Sequence, residues 1–241
     1  MKRAGLDEQL AQVTILGDPT RRALYHFVAA RGTPVGRDEA AAAVGIGRPL
    51  AVYHLDRLVA EGLLTARYER RGGRRGPGAG RPSKLYVRSA GQVEVSLPAR
   101  DYELAARILA QAVDADPSGA AVRRVEDAAR AIGTELAAGA GAAAADDGQR
   151  VGERRAALLE ALRRQGYEPY PDDEGEDRAG GAIRLRNCPF DKLVTEHREL
   201  MCRANLALLR AVVERLGAAG LEPALAPRSG ECCVTFEPVR P

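Results

Sequence analysis

Apolar residues recur at helical spacing along most of the chain and alternate at strand spacing in only a few short stretches. Near the start, Leu10, Val13 and Leu16 stand three apart and lead into Gly17-Asp18-Pro19-Thr20. Asp18 is suited to cap a helix and Pro19 to occupy its first turn, with Leu24, Phe27 and Val28 as the apolar face that follows. A short helix is predicted over about Gly36 to Val44. Its run Ala40 to Ala43 permits a close helix crossing, and Gly45 supplies a turn of positive φ. Leu50, Leu55, Leu58 and Val59 mark the buried side of the next helix, which ends near Gly62. Two alternating segments, Leu63 to Arg70 and Gly80 to Val87, then flank a tip rich in glycine and arginine, the pattern of a β-hairpin.

Asp101 opens a second helical pattern through Leu104, Ile108 and Leu109, continued after Pro117 and Gly119 at Val122, Val125, Ala129, Ile132 and Leu136. Gly139 to Asp147 reads as a glycine- and alanine-rich connector. A helix over about Arg154 to Gln165 ends at Gly166, an acidic turn follows Tyr170, and Ala182 to Leu185 alternates like a strand. A long helical stretch covers Pro189 to Leu216, with a break near Cys202 as one option, and Leu221 to Leu225 and Cys232 to Phe236 close the chain as short strands. The fold class expected is α+β, mostly α, in three zones: residues 1–95, a helical linker and dimerisation segment over 96–150, and a small α/β module over 151–241, with its strands on one side of its helices.

Composition adds that the core must be built from alanine and leucine. Of 241 residues 45% are hydrophobic, but only 4% are aromatic and there is no tryptophan. No apolar run approaches the roughly 18 residues of a membrane span and the N-terminus has no apolar signal core, so a cytoplasmic protein without a membrane partner is expected. The net charge of +3 is too small to indicate nucleic acid by itself. Its distribution says more: Arg67, Arg70, Arg71, Arg74, Arg75, Arg81, Lys84 and Arg88 stand against the single acid Glu69.

A short helix, a glycine turn, a second amphipathic helix and a basic hairpin, in that order, are the parts of a winged helix-turn-helix, whose second helix enters the major groove of double-stranded DNA. On that helix Arg48, Val52, Tyr53, Asp56 and Arg57 form the polar face. Arg48 and Tyr53 are the leading candidates for base or phosphate contact, with His54 behind them. The hairpin residues Arg70, Arg71, Arg74, Arg75, Arg81 and Lys84 would lie against phosphates or enter the minor groove, giving salt-sensitive affinity more than sequence choice. The plain alternatives are packing for Tyr53 and His54 and a solvated loop for the arginines.

All four cysteines, Cys188, Cys202, Cys232 and Cys233, fall in the last zone. In a reducing compartment they are more readily free, metal-bound or redox-active than disulfide-bonded. Pro189 favours a first helical position, which places Cys188 at a helix cap where the dipole stabilises a thiolate. Neighbours on a strand face opposite ways, so Cys232 and Cys233 are not expected to enter one site together, and three thiolates converge at most. The spacing is not that of paired zinc ligands. It suits an iron-sulfur cluster held by three thiolates and a fourth ligand such as His197 or Glu196, the plain alternative being four inert small residues of a core.

Leu16-Gly17-Asp18-Pro19-Thr20-Arg21-Arg22, Tyr53-His54-Leu55-Asp56-Arg57-Leu58 and Gly80-Arg81-Pro82-Ser83-Lys84-Leu85-Tyr86 resemble the winged-helix regulators of the ArsR-like group over about the first 90 residues. The resemblance implies a homodimer on an inverted-repeat operator. The thiolate metal site that some ArsR-like sensors carry on the DNA-binding helices is not present, because this domain has no cysteine. Asn187-Cys188-Pro189-Phe190, Leu200-Met201-Cys202, Leu206, Leu208-Leu209 and Gly230-Glu231-Cys232-Cys233-Val234 look similar to the sensor half of SufR-type repressors of iron-sulfur cluster assembly genes. That likeness implies a cluster, 4Fe-4S or 2Fe-2S, whose state sets operator affinity. Cys188 and Cys202 match its ligands directly, and the third is Cys233 or, as the alternative, Cys232. The doubled cysteine departs from the family's pattern. The expectation is a homodimeric repressor in which a cluster on the C-terminal module fixes the placement of two readers, with residues 101–137 as the dimer element. The alternative is a winged-helix regulator responding to another ligand, another metal or none. No catalytic residue is expected, since there is no phosphate loop, dinucleotide fingerprint or Gly-x-Ser-x-Gly elbow, and His26, His54 and His197 lie in different zones.

Overall fold

The computed structural model describes residues 6–69, 82–91, 93, 101–138, 150–172, 181–218 and 220–239. It is α+β, about 60% helical over those residues, with small antiparallel sheets. The chain divides into two compact units, Met1–Arg100 and Asp101–Pro241. The helices of residues 101–138, expected as a linker, belong to the second unit, because the longer of them packs along that unit's central helix. No helix among the described residues is long and apolar enough to cross a membrane.

The first unit runs α1 (Leu6–Thr14), a 3-10 turn (Ile15–Gly17), α2 (Pro19–Arg31), β1 (Val35–Gly36), α3 (Arg37–Val44), α4 (Arg48–Ala60), β2 (Leu64–Glu69) and β3 (Ser83–Arg88). Local chemistry sets the helix ends. The Asp18 carboxylate accepts the Arg21 N–H at 2.8 Å and Pro19 opens α2. Gly45, at φ 72°, turns the chain after α3 while its N–H bonds back to Ala41 and Ala42. The strands form an antiparallel sheet in the order β1-β3-β2, with Thr65 opposite Val87 and Val35 opposite Tyr86. Leu24, Val28, Val35, Leu55, Leu58, Leu64 and Tyr86 build the core between helices and sheet. Leu50, expected inside, is exposed. The buried stripe of α4 is Ala51, His54, Leu55 and Leu58, and one residue's rotation of about 100° sets Leu50 off that stripe.

The second unit comprises α5 (Tyr102–Asp114), α6 (Ala120–Ala138), α7 (Arg150–Arg164), β4 (Pro169–Pro171), β5 (Ile183–Leu185), α8 (Asp191–Glu196), α9 (Arg198–Leu216), β6 (Leu221–Leu225) and β7 (Val234–Pro238). Asp101 caps α5 through the Leu104 N–H, and Asp116 caps the entry to α6 through Ser118 and Ala121. The sheet order is β4-β5-β7-β6, antiparallel throughout. Ten of the 19 residues of α9 are buried, as a helix covered on several sides requires. It packs against α6, α7, β6 and β7, and Leu158, Leu162, Tyr167, Ile183, Leu185, Leu209, Val212 and Phe236 fill the core around it.

Two expected boundaries moved, and both bear on the cysteines. The helical stretch from Pro189 breaks at His197, whose φ of −127° separates α8 from α9, and residues before Asp191 form a turn. The last strand begins at Val234 rather than Cys232, because the Cys232 N–H is taken by Leu185 O at 2.9 Å in a bend that precedes the ladder.

Candidate functional site

Three segments bring the four cysteines together. Cys188 comes from the turn after β5, Cys202 from the first turns of α9, and Cys232 and Cys233 from the bend before β7. Cys202 Sγ lies 2.8 Å from Cys233 Sγ, and Cys188 and Cys232 are near enough to perturb each other's thiols. Cys232 and Cys233 lie in a bend rather than a strand, and their sulfurs meet different partners, Asn205 for Cys232 and Cys202 for Cys233. All four are free thiols, with Cys188 half-buried and the others buried.

The surroundings treat the sulfurs unequally. Asn205, buried on α9, donates from Nδ2 to Cys232 Sγ at 3.3 Å, and the Tyr167 hydroxyl donates to Asn205 Oδ1 at 2.5 Å, which fixes the amide's orientation. The Arg198 guanidinium stands 3.9 Å from Cys233 Sγ. The interaction with Cys188 lowers the Cys232 thiol to about 7 against the effect of burial, with help from the Val234 N–H and Asn205. Cys188 is pushed strongly upward by that same interaction and by burial. Burial and the contact with Cys233 push Cys202 up to about 12. The predicted dipole-acidified Cys188 is thus overturned: its thiol is raised, and Phe190 rather than Cys188 is the N-cap of α8.

A polar latch holds the segment that carries Cys232 and Cys233. Arg184, buried on β5, donates from Nε to Asp172 at 2.8 Å and from Nη1 to Ala226 O at 3.1 Å, and its ion pair with Glu231 spans 3.6 Å. Tyr170 donates to the other oxygen of Glu231 at 2.6 Å, and the Arg186 guanidinium stacks 4.1 Å above the Tyr170 ring. The Ala226 N–H bonds to Cys233 O at 2.9 Å, so the bend is tied at both ends. Burial works to raise the Asp172 carboxyl, but the Arg184 and Arg228 contacts outweigh it and hold the group low.

Neither suggested fourth ligand joins the thiols through any bond described. Glu196 pairs with Arg107 at 3.0 Å, and His197 Nδ1 meets Asp114 at 2.5 Å while its buried Nε2 has no partner among the described residues. Among those residues no three His, Cys, Asp or Glu side chains are spaced to enclose a metal ion. Cys202 and Cys233 are in direct sulfur contact instead. Asn205, Tyr167, Arg184, Asp172 and Glu231 were missed in the sequence. Asn205 was the one with a local signal, a polar residue within the apolar run of α9.

In the first unit, α4 presents Arg48, Tyr53 and Arg57 to solvent, with Val52 half-buried. Arg48 pairs with Asp38 at 2.9 Å and Arg57 with Glu61 at 3.5 Å. Two expected contact residues are committed internally. His54 is buried and accepts a bond from Arg21 Nε at 3.3 Å, which turns its ring toward α2 and away from the exposed face. Lys84 donates to Asp56 at 2.7 Å, and Tyr86 donates to the same oxygen at 2.8 Å, fastening β3 to α4. Burial works to raise the Asp56 carboxyl, and these two bonds hold it low nonetheless. Arg70, Arg71, Arg74, Arg75 and Arg81 lie outside the described residues. Comparison of the chain with protein-family models, with curated proteins and with solved structures finds no match.

Proposed function

We propose that this protein is a DNA-binding transcriptional repressor whose first unit is a winged helix-turn-helix and whose operator affinity follows the state of an iron-sulfur cluster in the second. The observation that carries the reading is the gathering of four thiols from three separate segments, in a chain whose other unit presents an exposed, arginine-bearing helix beside a basic hairpin. The sequence motifs resembling ArsR-like and SufR-type regulators point the same way.

Support for the reader comes from the order α3, Gly45 turn, α4, β2, β3 and from the Asp56 bridge that makes α4 and the hairpin one body. The exposed face of α4 fits a groove about 12 Å wide. Arg48 is free to exchange its carboxylate partner for DNA, because an exposed pair such as Arg48–Asp38 contributes only about 0–1 kcal/mol. Support for a homodimer comes from α5, where Leu104, Ile108 and Leu109 make one exposed apolar stripe at 51%, 59% and 68% exposure.

The donor set fits an iron-sulfur cluster by its chemistry: soft thiol ligands, a mostly apolar shell, and N–H donors from Asn205 and Arg198 aimed at sulfur. Cys188, Cys202 and Cys233, with Cys232 as the alternative third ligand, would hold it. Bound there, a cluster supplies one-electron chemistry and sensitivity to oxidants. The chain's own residues hold the ligands in place, Tyr167 and Asn205 behind Cys232 and the Arg184 latch behind the bend. Selection from random duplexes with protein prepared without oxygen tests the reader. Enrichment of an inverted repeat is expected, and binding no stronger than that to any random duplex would overturn the reading.

A further inference from the structure

We propose that, when no metal holds the thiols, Cys202 and Cys233 close into one specific disulfide. The proposal concerns the same sulfurs as the cluster reading but does not rest on it.

Geometry carries the pairing. Cys202 and Cys233 stand 2.8 Å apart, so bond formation needs an approach of only ~0.8 Å. The vicinal alternative is disfavoured because Cys233 already faces the Cys202 sulfur on another segment. The latch around Arg184 and the bonds of Cys232 N–H and Cys233 O hold the bend in that arrangement.

A hydroperoxide transfers one oxygen to one sulfur of the pair, giving a sulfenic acid and the alcohol or water left from the peroxide. The other sulfur attacks the sulfenic sulfur, which releases water and forms the disulfide. In sum two thiols and one hydroperoxide yield one disulfide, one alcohol and one water.

The test uses the full-length reduced protein, stripped of metal with a chelator and treated with hydrogen peroxide, then alkylated and digested with trypsin without reduction. The expected product joins peptides 199–203 and 229–241. In Cys232→Ser the same link should persist, which assigns Cys202 to Cys233. A Cys232–Cys233 vicinal bond, a link from 187–192 to 199–203, links between chains, or sulfinic acid without cross-links would overturn the pairing. Absence of iron from the protein as isolated bears on the cluster reading alone and leaves these outcomes as they are.

Discussion

Gly133 sets two opposing effects against each other, and their magnitudes decide the sign. It lies in the middle of α6, where alanine would be the better helix former by about 1 kcal/mol. A Cβ at that position, however, would stand 2.2 Å from the Leu208 carbonyl oxygen and 3.1 Å from Ala211 Cβ. The oxygen belongs to the main chain of α9 and cannot turn aside as a side chain would. Relief requires α6 to move off α9 by about 1 Å, loosening the contacts of Ala129 with Ala204 and Ala207. Overpacking of this kind costs about 1–3 kcal/mol and at times more. For so close an approach the upper end applies, and Gly133→Ala should lose about 2 kcal/mol net. Thermal unfolding followed by circular dichroism should show the second unit melting roughly 5–10 °C lower. Gly152 of α7 is the control, since a Cβ there meets nothing within 4 Å and the same exchange should gain about 0.5–1 kcal/mol. A Gly133→Ala protein melting at or above the parent temperature would refute the close approach of α6 and α9.

Tyr167→Phe removes the donor to a buried amide and should cost about 1–3 kcal/mol in urea unfolding of the second unit, and an unchanged midpoint would show that Asn205 is not held as described. Asp56→Ala leaves the buried Tyr86 hydroxyl without its acceptor and frees Lys84, so the first unit should lose stability by a similar amount and bind DNA less tightly at all sequences. Arg48→Ala should alter sequence preference, whereas neutralising Arg70, Arg71, Arg74 and Arg75 should weaken binding uniformly and flatten its salt dependence. The Asp116 carboxyl is lowered to about 2 from 3.8, chiefly by the Ala121 N–H and then by Ser118. A depressed carboxyl stabilises the fold above its unfolded value, so this contribution should be intact above about pH 4 and fall away as the pH drops toward 2, with Asp116→Asn flattening that slope.

Features set by neighbours in sequence were legible; features set by distant partners were not. Asp18 with Pro19, Gly45 and Asp101 announce helix ends because capping and positive φ are chemistry of a few adjacent residues. Convergence of Cys188 and Cys202 was readable as a possibility, but not the bend that carries both terminal cysteines. Alternation assumes a strand, and here the Leu185 carbonyl captures the Cys232 N–H and starts the ladder two residues late. His54 and Leu50 mislead in opposite directions for one reason. The phase of α4 is set by packing against α2 and the sheet, which seats a polar ring beside Arg21 and leaves a leucine outside. The Arg184, Asp172 and Glu231 network joins β5, the segment after β4 and the bend before β7, and no period in the sequence marks it.

The cluster reading is tested by iron and sulfide content paired with operator affinity in protein isolated without oxygen. A coloured protein carrying iron and inorganic sulfide is expected, with an operator affinity that changes roughly 5- to 150-fold when the cluster is removed. Cys188→Ser and Cys202→Ser should lose both the colour and that dependence. A colourless, iron-free protein that binds its operator equally well before and after cluster reconstitution would contradict it.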